Sequence, residues 1–504
     1  MIRNPGARPD RIIPRVVLAG AMFAALSAHA AVGPDFRRPA PPESQHYDEQ
    51  AERPPAAPDA SQPQRIRLAA AAPGAWWSAL RSPKLDAVMR QAIDGSPGLA
   101  GAEATLAQAN EGVASARGQL LPQLDVAGQA GRQRAAGGAA TTSNVYAVGP
   151  QVRFDFDLFG GAKRLVEEKG ALAELQRRRL QAAYLALTGD VATQALQLAS
   201  ARAQIDAVRA LLADDQKTLD LVRTGRRYGD ATEVDVAAAA TQLAQDQTLL
   251  APLEQQRDQA RHALSVLAGK GPADWTAPDF DLDDFTLPAD LPVSLPSELA
   301  RQRPDILEAE AQLHAASAAV GVATADLYPR LQLSASLVDA GPGVGALWGV
   351  LAGLAGPIYH GGSLKAERRA AVDGYAAALA AYRQTVVEAL GQVADGLQAI
   401  RHDGEEAAAQ AGAVRAAEAS LALNRRGYQA GEVDSLHVID AERAYQHAVL
   451  GRIRAHAAQY LDTVQLSVAL GGGEAVTRAM GCSGERSASP VPSAPSKTAL
   501  FSKD

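Results

Sequence analysis

From Leu180, alternate steps of four and three residues land on Tyr184, Leu187, Val191, Gln194, Leu198, Ala201, Ile205, Val208, Leu212, Asp215, Leu219 and Val222. Of these thirteen positions only Gln194 and Asp215 are polar. An apolar seam kept through six heptads specifies a long helix paired lengthwise with another, as in a coiled coil. Such a helix runs roughly 60 residues, or about 90 Å at 1.5 Å per residue. The surrounding sequence is rich in Ala, Leu, Gln, Glu and Arg, which favour helix. A glycine-containing turn at 225–230 reverses the chain, and 232–267 reads as a second long helix returning beside the first. Elements this much longer than the ~11-residue average are not the parts of a compact globule.

The chain does this twice. Residues 97–126 align without a gap on 304–333, and eleven of the thirty positions are identical, Glu103/Glu310, Leu106/Leu313, Pro122/Pro329 and Leu124/Leu331 among them. Further on, Gly189/Gly391, Val191/Val393, Gly229/Gly431 and Val236/Val438 correspond, as do Leu264-Ser265-Val266 and Leu466-Ser467-Val468. A period of about 200 residues is too long for a solenoid unit and reads as two copies of one structural half. Each half predicts a helix (84–120 and 297–327) ended by Pro122 or Pro329, then a strand pair (123–134 with 145–158, and 331–339 with 346–357). The turns carry Gly137-Gly138 and Gly341-Pro342-Gly343. A long helix pair follows; in the second half it spans 363–428 and 433–470, with a turn at 429–431.

The strands decide where the molecule works. In 146–158 Tyr146, Val148, Pro150, Val152, Phe154, Phe156 and Leu158 alternate with Ala147, Gly149, Gln151, Arg153, Asp155 and Asp157. Period two gives one apolar and one polar face, and a tilted strand of about 9–11 residues crosses a bilayer. The stretch 331–337 alternates more weakly, and the strand around 348–358 is the least regular. A half-buried soluble sheet would alternate in the same way. Four strands cannot close a barrel, and open edges in hydrocarbon leave backbone groups unpaired at several kcal/mol each. If these strands span a membrane, the chain must therefore oligomerise. Gln151, Arg153, Asp155 and Asp157 then line water.

Arg3, Arg8, Arg11 and Arg15, the short apolar run 16–25 and Ala28-His29-Ala30 form an export signal over residues 1–30, too short to span a membrane as a helix. Residues 31–83 read as an extended strap, 84–296 as the first repeat, 297–473 as the second and 474–504 as a disordered polar tail. The single cysteine, Cys482, allows no internal disulfide and no cysteine metal site. A net charge of −7 gives no case for nucleic-acid binding. No cofactor is implied.

These motifs resemble the outer-membrane factors of tripartite efflux and type I secretion systems, of TolC/NodT type. The resemblance is carried by Val32-Gly33-Pro34-Asp35-Phe36 with Pro39, by Trp77 with Ser82-Pro83 and Leu85, and by Phe154-Asp155-Phe156-Asp157-Leu158-Phe159-Gly160-Gly161. Pro357-Ile358-Tyr359 with Gly361-Gly362, Gly229-Asp230-Ala231-Thr232-Glu233-Val234-Asp235-Val236, residues 431–438 and Ala469-Leu470-Gly471-Gly472-Gly473 complete it. It implies a mostly α chain with a transmembrane β-barrel: internally duplicated long coiled-coil hairpins plus four membrane strands per chain, closing as a homotrimer. It also implies an outer-membrane exit duct reaching into the periplasm of a Gram-negative bacterium. The duct passively conducts small molecules or drugs, docked on a periplasmic adaptor and an inner-membrane pump, of RND type, and is not an enzyme. Many relatives place a lipidated Cys before the Val-Gly-Pro-Asp start; Ala31 stands there, so no lipidation is expected and the barrel is the attachment to lipid.

In the family the inner end closes in a Leu-x-x-x-Asp-x-x-Arg run, which the resemblance places at Leu436, Asp440 and Arg443. Their spacing puts them on one helix face. Three-fold repetition makes an apolar ring and a carboxylate ring, which suit a dewetting gate and a cation preference. An ordinary solvated face with an i,i+3 pair fits the same spacing. The corresponding Val234, Ala238 and Thr241 are uncharged. The tips, with Gly229, Asp230, Gly431 and Glu432, are the expected adaptor contacts, although glycine at a helix reversal needs no partner. Two rivals remain: an exported enzyme, and a periplasmic coiled-coil scaffold or adaptor. For the first, His402-x-x-Glu405 and His437-x-x-Asp440 lack a third metal ligand, and the glycines at 341–345 and 361–362 lack the context of a phosphate loop. The second leaves four alternating strands unexplained. Within the channel class, type I protein secretion stays open.

Overall fold

A computed structural model describes residues 31–48, 64–69, 75–134, 142–339 and 346–472. The expected export signal, both glycine-rich hairpin turns, Cys482 and the C-terminal tail lie outside the described residues.

Each half follows the same order. In the first, α1 (Pro83–Gly95) and α2 (Pro97–Gly118) precede β2 (Gln123–Arg134), β3 (Thr142–Phe156) and α3 (Gly161–Tyr228); α4 (Glu233–Gln247) and α5 (Leu250–Leu267) then return. In the second, α6 (Pro296–Gln302), α7 (Pro304–Ala325), β5 (Arg330–Asp339) and β6 (Ala346–Ala355) precede α8 (Ser363–Gln429) and α9 (Ser435–Ala469). The short strands β1 (Arg65–Leu68) and β4 (Asp290–Val293) pair in parallel.

Three expected helices are broken, each at a proline. The helix expected over 84–120 divides at Ser96, which caps α2 through the Leu99 amide while Pro97 takes the first helical position. The helix expected over 297–327 divides at Arg303, ahead of Pro304. The return helix expected over 232–267 divides at Thr248 and Leu249, because Pro252 offers no N–H and its ring crowds the carbonyl of residue 248. The second return helix has no such proline and runs unbroken for 35 residues.

α3 exceeds its expected length, and α8 ends one residue past the expected 363–428. α3 has 68 residues and α8 has 67, each about 100 Å at 1.5 Å per residue. Every seam position from Leu180 to Val222 is buried or half-buried, Asp215 included. The core gathers where the hairpins meet the shorter elements. Leu85, Met89, Leu196, Leu264, Phe280 and Tyr460 form the largest cluster and Leu299, Ile306, Leu313, Val393 and Leu397 a second, with two small ones farther along the hairpins.

The N-terminal strap is pinned rather than loose over its described parts. Arg164, 5% exposed, donates to the carbonyls of Val32 and Gly33 and to the carboxylates of Asp35 (2.6 Å) and Glu167 (2.7 Å). Gly33 has φ +95°, and a Cβ there would lie 2.5 Å from the Cα of Gly321, so the Val-Gly-Pro turn needs its glycine. Phe36 stacks on His314 at 4.3 Å, Arg38 pairs with Glu310, and Tyr47 donates to the Ser294 carbonyl.

Candidate functional site

The four long strands form one antiparallel sheet in the order β2–β3–β5–β6. Register sorts its faces. Leu124 lies opposite Val152, Val152 opposite Ala335 and Ala335 opposite Val350; Phe154 faces Leu333, Phe156 faces Leu331 and Leu337 faces Trp348. Residues paired across a sheet share a face, so one side is apolar over 124–130, 146–156, 331–337 and 346–354, with Arg132 and Asp339 on it only at the hairpin end. Leu124, Val126, Trp348, Val350 and Leu354 on that side are 65–79% exposed. The opposite side carries Asp125, Gln129, Gln151, Arg153, Asp155, Gln332, Ser334 and Ser336. Its polar groups meet one another: Arg153 donates to Gln151 (3.1 Å), and Gln332 donates to Asp155 across the strands (2.8 Å).

Asp157, expected with them on the strand's polar face, lies past the end of β3. Its carboxylate accepts from the amides of Ala162 (3.1 Å) and Lys163 (2.8 Å) and so caps α3, where the helix dipole favours negative charge. Among the described residues the outer edges of β2 and β6 have no partner strand.

At the far end of the long helices both reversals close in the same way. Gly229 (φ +90°) and Gly431 (φ +74°) adopt the left-handed conformation, and the Asp230 and Glu432 amides reach back to the carbonyls of Gly225 (2.9 Å) and Gly427 (2.8 Å). This satisfies the terminal carbonyls of α3 and α8. Thr232 and Asp235 then form a capping box that starts α4, and Asp434 caps α9. Tyr228 and Val234 at the first tip are 80% and 76% exposed.

Leu436, Asp440 and Arg443 share the exposed side of the first turns of α9, while Val438, Ile439 and Glu442 are buried on the other side. Arg443 reaches back to the first half. Its Nε donates to the side-chain oxygen of Gln242 on α4 at 3.0 Å, and a second guanidinium N–H bonds the same oxygen. Behind it a polar cluster around buried Glu442 links α3, α8 and α9. Arg425 of α8 donates to Glu442 (2.9 Å) and Asp214 (3.4 Å), and Thr218 of α3 donates to Glu442 (3.1 Å). None of these four residues had a signal in the sequence; their neighbour Asp215 did, as a polar exception on the α3 seam.

The remaining candidates do not assemble into a catalytic or metal centre. His437 bonds Asp434 (2.6 Å) rather than Asp440, and His402 lies 3.4 Å from Glu405. Among the described residues no group of three His, Cys, Asp or Glu side chains is placed to hold a metal ion. No helix among them is long and apolar enough to cross a membrane.

A sequence model of the family described as outer membrane efflux protein matches residues 88–270 and 295–472. The pyoverdine export outer membrane protein OpmQ of Pseudomonas aeruginosa is 31% identical over 416 residues, covering 79% of this chain and 87% of its own. The toluene efflux pump outer membrane protein TtgC of Pseudomonas putida is 28% identical over 474 residues, covering 91% of this chain and 95% of its own. Among solved structures the outer-membrane channel OprN superposes with a TM-score of 0.79 at 28% identity, covering 88% of this chain and 99% of its own.

Proposed function

The chain belongs to the outer membrane efflux protein family, and from that premise we propose that it is the trimeric exit duct of a tripartite efflux system. It is an outer membrane channel that reaches into the periplasm. The observation that carries the trimer is the sheet. Its wide apolar face and two unpaired edges cannot rest in hydrocarbon as they stand, because every backbone group there needs a partner. Three copies, with β6 of one subunit joined to β2 of the next, give a closed twelve-stranded wall. Gln151, Arg153 and Asp155 then face water inside it. The helices of about 100 Å continue the lumen across the periplasm.

The duct performs no chemistry. An inner-membrane pump of RND type supplies the energy, and a periplasmic adaptor joins the two at tips bearing Gly229, Asp230, Gly431 and Glu432. The cargo is a small organic molecule, the class named for OpmQ and TtgC, which export pyoverdine and toluene. Leu436, Asp440 and Arg443 close the inner end as stacked rings, with Arg443 tied to Gln242.

Purified protein from membranes should require detergent and run as an SDS-resistant trimer that collapses on heating. In planar bilayers Asp440→Ala should raise single-channel conductance. A monomer that is soluble without detergent refutes the duct, and unchanged conductance refutes the gate.

A further inference from the structure

Asp215, the polar exception on the α3 seam, is 4% exposed. Its Oδ2 is buried and meets no donor. Across from it stands the carboxyl of Asp246, in the last turn of α4. Two ionised carboxylates are both acceptors, so this contact is a hydrogen bond only when one of them holds a proton. Burial first, and then the Asp246 carboxylate, push Asp215 up to about 7; Glu442 acts in the same direction and the Gln446 amide opposes it.

The cations at this end of α3, α8 and α9 bond other groups. Arg425 of α8 binds Glu442 and Asp214, and Lys217 of α3 binds Asp214 at 2.9 Å. Arg443 of α9 binds Gln242, whose amide N–H donates in turn to Asp246 at 2.5 Å. Hydrogen bonds therefore run from Asp246 through Gln242 to Arg443, and a proton between Asp215 and Asp246 would extend that path to Asp215.

We propose that Asp215, Asp246 and Gln242 form a proton-held latch that positions Arg443 in the closed state, and that loss of the shared proton releases it. The latch rests on the gate reading given above. With the proton in place, the pair carries one negative charge. The bridge fixes Asp246, and Asp246 fixes the Gln242 amide with its oxygen toward Arg443. When the proton passes to water, two like charges face each other, buried Asp215 and half-buried Asp246. Asp246 is the one placed to yield, because α4 ends one residue beyond it, at the break ahead of Pro252. Gln242 then loses its orientation and Arg443 its partner.

A second pair supplies a control. Asp403 of α8 is pushed up to about 7 by burial and by Asp462 of α9, with Glu406 adding to it, and its Oδ2 also meets no donor. That pair lies within the second hairpin and has no bond to Gln242 or Arg443.

The test joins bilayer conductance of the purified full-length protein with infrared spectra of the protonated-carboxyl C=O stretch, both from pH 5.5 to 8.5. The open fraction should rise about tenfold from pH 6 to pH 8, with a midpoint near pH 7, while carboxyl absorbance falls over the same range. Asp215→Asn and Asp246→Asn each keep a hydrogen bond without a titratable proton. Each should form the SDS-resistant trimer, lose part of the band and stay at the low-pH open fraction throughout. Asp403→Asn should lose a different part of the band and keep the parent conductance curve. If Asp215→Asn leaves the band unchanged, no shared proton exists; if it keeps the parent pH response, the proton does not hold the gate. A gate misassigned to Asp440 fails separately, because the infrared readout does not depend on conductance.

Discussion

Removing Arg443 should open the channel by an amount that its contacts set. Arg443→Ala deletes two N–H donors that converge on the Gln242 oxygen. A charge-assisted bond contributes about 1.5–3 kcal/mol when buried. Arg443 lies on an exposed helix face, so solvent competition reduces this to about 1 kcal/mol per subunit. Three symmetric copies together shift the closed-to-open balance by about 3 kcal/mol, or roughly a hundredfold. Single-channel recording in planar bilayers reads this directly as open fraction. Gln242→Ala should reproduce the effect, and because Gln242 also holds Asp246 its own effect should be the larger. The double variant should open no further than Gln242→Ala alone, since the two side chains form one contact and their effects do not add. An Arg443→Ala channel with the parent's open fraction refutes the latch. Fully additive single effects show that Arg443 and Gln242 act independently, which refutes the pairing.

Val350→Arg places a charge on the apolar face of the sheet and should cost about 2–4 kcal/mol of membrane stability, read as loss of trimer on semi-native gels. Ser334→Arg, on the opposite face, should assemble normally and alter conductance instead. Arg164→Met leaves Glu167 with His314 alone and frees two strap carbonyls and Asp35, so the trimer should lose about 1–3 kcal/mol. Its N-terminal segment should become sensitive to protease, and equal protection would overturn the clamp. Asp403 has its carboxyl raised to about 7, so its contribution to stability is full below the unfolded value and is lost as pH rises through 7. Thermal dissociation of the parent should therefore fall between pH 5 and pH 8, and Asp403→Asn should flatten that slope.

The strands and long helices were legible because each repeats one local rule many times. Period two over 146–156 and the four-three seam from Leu180 hold through enough residues that single exceptions do not hide them. β6 was the hardest to read for a reason that its register explains. Leu347 and Leu351 stand on the face shared with Ser334 and Ser336, and Gly349 and Gly353 contribute no side chain, so the strand alone shows almost no alternation. Its faces are fixed only by β5. The helix breaks carried signals of known meaning: Pro97 behind a capping Ser96, Pro304, and Pro252 four residues after Thr248. The periodic pattern ran through all three, because a helix that restarts one or two residues later keeps much of its apolar face.

The inner end was half legible for a different reason. Leu436, Asp440 and Arg443 are neighbours in sequence, so helical spacing alone puts them on one face. Gln242 and Asp246 stand about 200 residues away, and nothing local marks them. The seam did contain the clue. A long coiled interface tolerates a buried polar residue only when a partner satisfies it, so each exception on an apolar stripe points to a polar group across the interface. Gln194 borders a cavity of about 540 Å³ lined by Gln197, Gln204, Gln256 and Gln259, where other amides and solvent meet it. Asp215 meets a second carboxyl. A neutral amide can be satisfied at any pH, whereas a buried acid facing a second, half-buried acid is satisfied by it only with a proton between them. Of the two exceptions, only Asp215 can therefore make the contact between the hairpins depend on pH.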